Sequence, residues 1–160
     1  MLVLLTLLVL MPGQATNKIS DQQKQEFIML LQSLPTKGEF YTAESVEKAR
    51  TYLPVLFALT DSDIAKFDFY PFLAISRGLC DLRENREYAV RNFATIKHPK
   101  IKLFWAAMLF DSNQKNTDIM RFLRNALESQ ELTSMLKEAM GPRFQPFRKR
   151  VLAQTKMPEK

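Results

Sequence analysis

The chain of 160 residues contains one cysteine and one histidine, Cys80 and His98. A single cysteine excludes an intramolecular disulfide, so the fold must be stabilised by packing alone. Transition-metal sites need several converging His, Cys or carboxylate ligands, and a hydrolytic nucleophile needs a neighbouring base. With so few of these side chains, the sequence predicts no metal, no cofactor and no enzyme. Cys80 is expected to pack as a small apolar side chain, and His98, directly before Pro99, to serve as a cap.

Glycine is also scarce, with four residues in the whole chain: Gly13, Gly38, Gly78 and Gly141. Tight β-hairpins and phosphate-binding loops both rely on glycine, because their backbones adopt conformations that other residues resist. The sequence therefore argues against a hairpin-rich sheet and against a glycine-rich nucleotide loop.

A run that is apolar apart from Thr6 opens the chain over residues 2–11, followed by Pro12 and by the small residues Gly13 and Ala15. This pattern is typical of a secretory signal peptide that is cleaved after Ala15. The run is shorter than the roughly 20 apolar residues of a transmembrane helix. No Lys or Arg precedes it, so a buried N-terminal helix or an uncleaved anchor remains the alternative. We expect residues 1–15 to direct export, leaving a soluble periplasmic or extracellular protein.

Beyond the signal, apolar residues recur at helical spacing between capping residues and prolines, which predicts helices throughout. The expected starts are Ser20, Thr42, Thr51, Asp68, Asn85, Pro99, Thr117 and Ser129. Gly141 and Pro142 end the last of these helices. The sequence thus predicts an all-α domain over residues 16–141 and a basic tail over residues 142–160.

The segments Phe72-Leu73-Ala74 and Phe104-Trp105-Ala106 echo each other, each within the more apolar second helix of a predicted pair. Pairs of short helices repeating every 30–35 residues or so are typical of stacked antiparallel helical hairpins. Over residues 42–140 the chain resembles HEAT-like α-helical repeat proteins. The resemblance implies a short α-solenoid with a concave binding face. An irregular helical bundle would give a similar pattern and remains open.

Two groups of side chains in the domain could carry function. Aromatic residues cluster in sequence and are expected mainly in the core, with a concave aromatic groove as the alternative: Phe67, Phe69, Tyr70, Phe72, Phe104, Trp105 and Phe110. The carboxylates Asp61, Asp63 and Asp68 could in principle support acid–base hydrolysis, although an Asp before a helix is first of all a cap.

The tail concentrates charge, with six basic residues after Pro142 and Glu159 as the one acid. The candidate binding residues mix cations with aromatic side chains: Arg143, Phe144, Phe147, Arg148, Lys149 and Arg150. Such a segment can dock on anionic lipid headgroups or on an acidic protein face. We expect no nucleic acid partner, since an exported protein seldom meets one. A short helix over Phe147, Val151 and Leu152 that caps the last repeat is the alternative for this segment.

These features together predict a non-catalytic, exported helical binding or scaffold module that engages a protein partner. A small helical envelope hydrolase that uses carboxylates is the alternative.

Sequencing the N-terminus of the protein from its native source tests the predicted export. We expect the mature chain to begin at Thr16, because the small residues Gly13 and Ala15 mark the cleavage site. A cytosolic protein with an intact Met1 would contradict this prediction.

Overall fold

The computed structural model describes residues 19–34, 42–114 and 116–154, and this part of the chain is helical without a strand. The helices are α1 Asp21–Gln32, α2 Ala43–Arg50, α3 Leu53–Phe57, α4 Asp61–Ile64, α5 Phe69–Asp81, α6 Arg83–Asn92, α7 Pro99–Asp111, α8 Thr117–Glu128, α9 Gln130–Met140 and α10 Phe144–Gln154. Two 3₁₀ turns, Phe93–Thr95 and Gly141–Arg143, follow α6 and α9. The all-α prediction is confirmed for these residues. The predicted signal segment lies outside them.

Side-chain caps fix the starts of several helices where the sequence predicts them. Ser20 accepts a hydrogen bond from the backbone N–H of Gln23, whose side chain accepts one in return from Ser20. Thr42, Asp68 and Ser129 likewise accept bonds from the first turns of α2, α5 and α9. Each cap satisfies a backbone donor that has no partner within its helix. No helix in the described part of the chain has the length and apolar character needed to cross a bilayer.

Helix α8 begins at Thr117, as predicted, and Asn116 caps it by accepting a hydrogen bond from the N–H of Asp118. Two other predicted helix starts are wrong. Thr51 ends α2 as its C-cap, and Tyr52 stands at the cap position of α3, which begins at Leu53. Asn85 is not a cap, because α6 already begins at Arg83, with Leu82 alone between it and the end of α5. A one-residue connection leaves no room for a turn, so side chains from α6 satisfy the last carbonyls of α5. Asn85 donates to the Leu79 oxygen at 3.0 Å, and Arg86 donates to the carbonyl oxygens of the last two residues of α5.

The described helices share one hydrophobic core, and Trp105 is the largest of its fully buried side chains. The Trp105 ring is nearly perpendicular to the Phe57 ring, with the two centroids 5.2 Å apart. Phe72 and Phe110 are also buried, as expected for core residues, whereas Tyr70 is 42% exposed. Full burial of a phenylalanine side chain such as that of Phe72 contributes about 1.5–3 kcal/mol to stability.

Helices α5, α7 and α9 lie side by side, with α7 in the middle. Phe69 at the start of α5 packs against Phe104 near the middle of α7, with ring centroids 5.5 Å apart. Cys80 near the end of α5 is within hydrogen-bonding contact of Ser112, just after α7. The two helices therefore run in the same direction. Helix α8 packs against both α7 and α9.

Helix α10 is part of the same core. Its residues Phe144, Phe147 and Val151 are buried, and the rings of Phe147 and Phe110 are nearly perpendicular with centroids 5.3 Å apart. The segment after Gly141 is therefore helical and packed through Gln154, as in the capping alternative considered for it. The rest of the predicted tail lies outside the described residues.

A close crossing of α2 over α5 depends on Gly78. A Cβ atom added to Gly78 would lie 2.5 Å from Cγ2 of Val46 on α2, closer than real contacts allow. Glycine inside a helix costs about 1 kcal/mol relative to alanine. A glycine at position 78 is thus unfavourable for α5 considered alone. The close approach of α2 explains why this position has no side chain.

Gly78→Ala should destabilise the protein by about 1–3 kcal/mol despite the better helix propensity of alanine, because the new methyl group overpacks the crossing. Urea unfolding followed by circular dichroism measures this loss. Val46→Ala in the same chain should remove the clash, so the double variant should lose less than the two single losses added together. A Gly78→Ala protein that is more stable than wild type would contradict the crossing.

Candidate functional site

A groove with a cavity of about 250 Å³ runs where α5, α7 and α9 lie together. On each helix the lining residues recur every three or four positions, so each helix contributes one face. The apolar part of the lining consists of Leu73, Phe104, Ala107, Met108, Leu136, Ala139 and Met140. Ala107 and Ala139 have short side chains, which leave the depression between their larger neighbours.

Charged side chains line the rim of this groove. Arg77 comes from α5, and Arg143 from the 3₁₀ turn after α9. Asp81 and Asp111 supply two exposed carboxylates, of which Asp111 is ion-paired with Arg150 of α10. Within the described residues, neither Arg77 nor Arg143 forms an ion pair. The groove therefore combines an apolar floor with a charged rim that includes the two exposed guanidinium groups of Arg77 and Arg143.

Cys80 also lines the groove but is buried in its wall. Burial raises the pKa of its thiol to about 11, and the contact with Ser112 opposes this only in part. Since the thiolate is the nucleophile, a thiol with so high a pKa is unreactive at neutral pH. Cys80 packs as a small apolar residue, as the sequence indicates.

The clustered carboxylates have structural partners. Asp63 is buried and accepts hydrogen bonds from the backbone and hydroxyl of Thr60 and from Nζ of Lys24, at 3.0, 2.8 and 3.1 Å. Burial alone would raise the pKa of Asp63, but these bonds outweigh it and leave that pKa lowered. Asp68 caps α5, and Asp61 contacts His98. Each of the three carboxylates thus has its own local partner or cap position.

His98 joins two separate segments through its two ring nitrogens. Nδ1 accepts the N–H of Lys100 at 3.1 Å, which caps α7, and Nε2 lies 2.8 Å from Oδ1 of Asp61. This network assigns the proton of the neutral ring to Nε2. Burial, aided by the charge of Lys100, lowers the pKa of His98 despite the opposing effect of Asp61. The histidine is a neutral cap, in agreement with its position before Pro99.

The six predicted tail residues divide into two groups. Phe144 and Phe147 point into the core, whereas Arg143, Arg148, Lys149 and Arg150 lie on the surface. The structure does not bring them together as one patch, because Arg143 lines the groove and Arg150 turns back to Asp111. The prediction of anionic binding therefore rests on the cations alone.

The sequence analysis missed the groove and its residue Arg77. The only signal was the spacing of Leu73, Arg77, Cys80 and Asp81, which places these residues on one face of α5. Of the aromatic residues considered for a concave groove, Phe104 alone lines this one. The spacing of these residues on α5 does not show which other helices pack beside it, so the groove could not be predicted from the sequence.

A comparison of the chain with protein family models, with curated proteins and with solved structures found no match. In the described part of the chain, no group of three or more His, Cys, Asp or Glu residues is placed to hold a metal ion. The arrangement there offers recognition chemistry, namely apolar contact on the groove floor and charge-assisted hydrogen bonds from the rim arginines.

The neutral His98 cap should make stability pH-dependent. Its folded pKa lies below the unfolded value of 6.5, so the unfolded chain takes up the proton first as the pH falls. The contribution of His98 is therefore complete above about pH 6.5 and is lost as the pH falls from there through the folded pKa. In urea unfolding between pH 8 and pH 5, the wild type should lose more stability than His98→Asn, which keeps a cap acceptor but cannot titrate. Equal pH dependence of the two proteins would refute this role.

Proposed function

We propose that the chain is a non-catalytic helical scaffold that presents the groove between α5, α7 and α9 to a protein partner. One observation carries this proposal: three separate helices contribute one face each to a single open depression with an apolar floor. Protein–protein interfaces usually have a buried apolar centre surrounded by a polar rim.

The neighbour relations of three helices support the proposal. The second helices of the three predicted pairs are α5, α7 and α9, and each is a neighbour of the next. Helices α5 and α7 run in the same direction, as equivalent helices of successive repeats do in a solenoid. We therefore favour a short HEAT-like solenoid over an irregular bundle. The groove would then lie on the face formed by its second helices.

A protein segment fits the groove better than a small molecule does. Small-molecule pockets usually have volumes of about 300–1,000 Å³ and enclose most of the ligand. This cavity has about 250 Å³ and is open along one side. A peptide helix could place a few apolar side chains in such a groove while its backbone stays outside. The export predicted from residues 1–15 would place that partner in the cell envelope or outside the cell.

One feature favours the alternative of a carboxylate hydrolase, because Asp81 and Asp111 both line the groove. General acid catalysis by a carboxyl group needs surroundings that keep it protonated, as an apolar pocket does. Both of these side chains are exposed, and Asp111 is paired with Arg150. A binding module needs no protonated carboxyl group in the groove, so we retain it as the conclusion.

A groove-blocking variant tests the proposal. Ala139 is exposed and lines the groove, so Ala139→Trp should fill it without disturbing the core. Tagged protein should be recovered from the native organism with its partners, and these should be quantified by mass spectrometry. We expect Ala139→Trp to reduce recovery of the partner at least tenfold, because the indole occupies the space that the partner needs.

Ser134→Trp is the matched control, since Ser134 is exposed on the same helix but outside the groove lining. It should recover the partner as the wild type does. Partners recovered equally by wild type and by Ala139→Trp would exclude the groove as the binding surface.

A further inference from the structure

Helix α10 has two chemically different faces. Its apolar face is buried in the core through Phe144, Phe147 and Val151. The opposite stripe is exposed and repeats at helical spacing: Gln145, Arg148, Lys149, Leu152 and Ala153. This outer stripe carries two cations and no acidic residue.

The cations of α10 are not equivalent. Arg150 is ion-paired with Asp111, and its guanidinium carbon lies 5.3 Å from the centroid of the Phe110 ring. Both contacts hold Arg150 against α7. Arg148 and Lys149 are exposed and form no ion pair with any residue in the described part of the chain. The charge available to a partner therefore comes from Arg148 and Lys149 rather than from the whole basic triplet.

We propose that this outer stripe of α10 docks the protein on anionic lipid headgroups through Arg148 and Lys149. A stripe on one helix cannot enclose a small ligand, so its charge is best matched by an extended anionic surface. A bilayer that contains phosphatidylglycerol or a similar lipid provides such a surface. This inference does not depend on the function of the groove.

The docking is electrostatic and peripheral, without aromatic insertion. Phe144 and Phe147 are held in the core, so they do not enter the bilayer while α10 stays folded. The large apolar side chain of the outer stripe is Leu152, which is 36% exposed. Attraction between exposed charges is screened within about 8 Å at physiological ionic strength. Binding should therefore weaken steeply as salt is added.

Co-sedimentation of the full chain with vesicles tests the proposal, with one-third phosphatidylglycerol in phosphatidylcholine as the anionic probe. At low salt we expect the wild type to bind these vesicles. Each cation near an anionic membrane strengthens binding by roughly fivefold. Arg148→Gln should therefore weaken binding about fivefold, and the Arg148→Gln, Lys149→Gln double variant by roughly 25-fold. High salt should release all of the proteins.

Arg150→Gln is the matched control, because it removes the same charge from the same helix at a residue that is already paired. It should weaken vesicle binding less than twofold, and its fold should be checked by circular dichroism. Pure phosphatidylcholine vesicles carry no net charge, so binding to them measures the contribution of the apolar run at residues 2–11. All variants contain this run, so its contribution can be subtracted equally from each. Truncation after Gly141 is not a suitable variant, because it removes the buried residues of α10.

Three results would overturn the proposal. Equal losses for Arg148→Gln and Arg150→Gln would show that net charge, not the outer stripe, governs binding. Anionic binding that is absent at low salt, or that persists at high salt, would exclude peripheral electrostatic docking. Tighter binding to duplex DNA than to vesicles at the same phosphate concentration would assign the stripe to nucleic acid instead.

Discussion

The burial of helix α7 is the constraint on which the rest of the structure depends. A chain with one cysteine has no intramolecular disulfide to hold its helices together, so packing must do so. Helix α7 is apolar on several faces, and its buried residues include Trp105, Leu109 and Phe110. Helices α5, α6, α8 and α9 all pack against it, and α10 reaches it through the contact of Phe147 with Phe110. Both candidate surfaces are therefore built around one central helix.

Polar contacts at the two ends of α7 complement this packing. At its start, His98 caps the helix and meets Asp61 from α4. At its end, Asp111 pairs with Arg150 from α10. The pair of Asp111 and Arg150 is exposed, and exposed ion pairs contribute only about 0–1 kcal/mol to stability. The contact of the neutral His98 ring with Asp61 is a hydrogen bond. The two contacts matter through their position, because each joins α7 to a segment about 40 residues away in sequence.

The features that were correctly predicted from the sequence, such as helix caps, depend on residues that are close together in the chain. Ser20, Thr42, Asp68 and Ser129 act as caps because a cap needs only its own first turn. Asn85 was misassigned because its role comes from a one-residue junction whose length the sequence pattern does not fix. The burial of Phe144 and Phe147 could not be decided either, since it requires that α10 fold back towards Phe110. The groove was missed for a similar reason, because three helices from distant parts of the chain form it.

The ion pair between Asp111 and Arg150 links the two proposed surfaces. Asp111 lines the groove, whereas Arg150 belongs to the helix that carries the outer stripe. Arg143 lies in the short turn between α9 and α10 and lines the groove as well. Two charged residues that line the groove, Asp111 and Arg143, are therefore tied to the position of α10. A partner in the proposed groove and a lipid surface on the proposed outer stripe would lie on two sides of the same short segment.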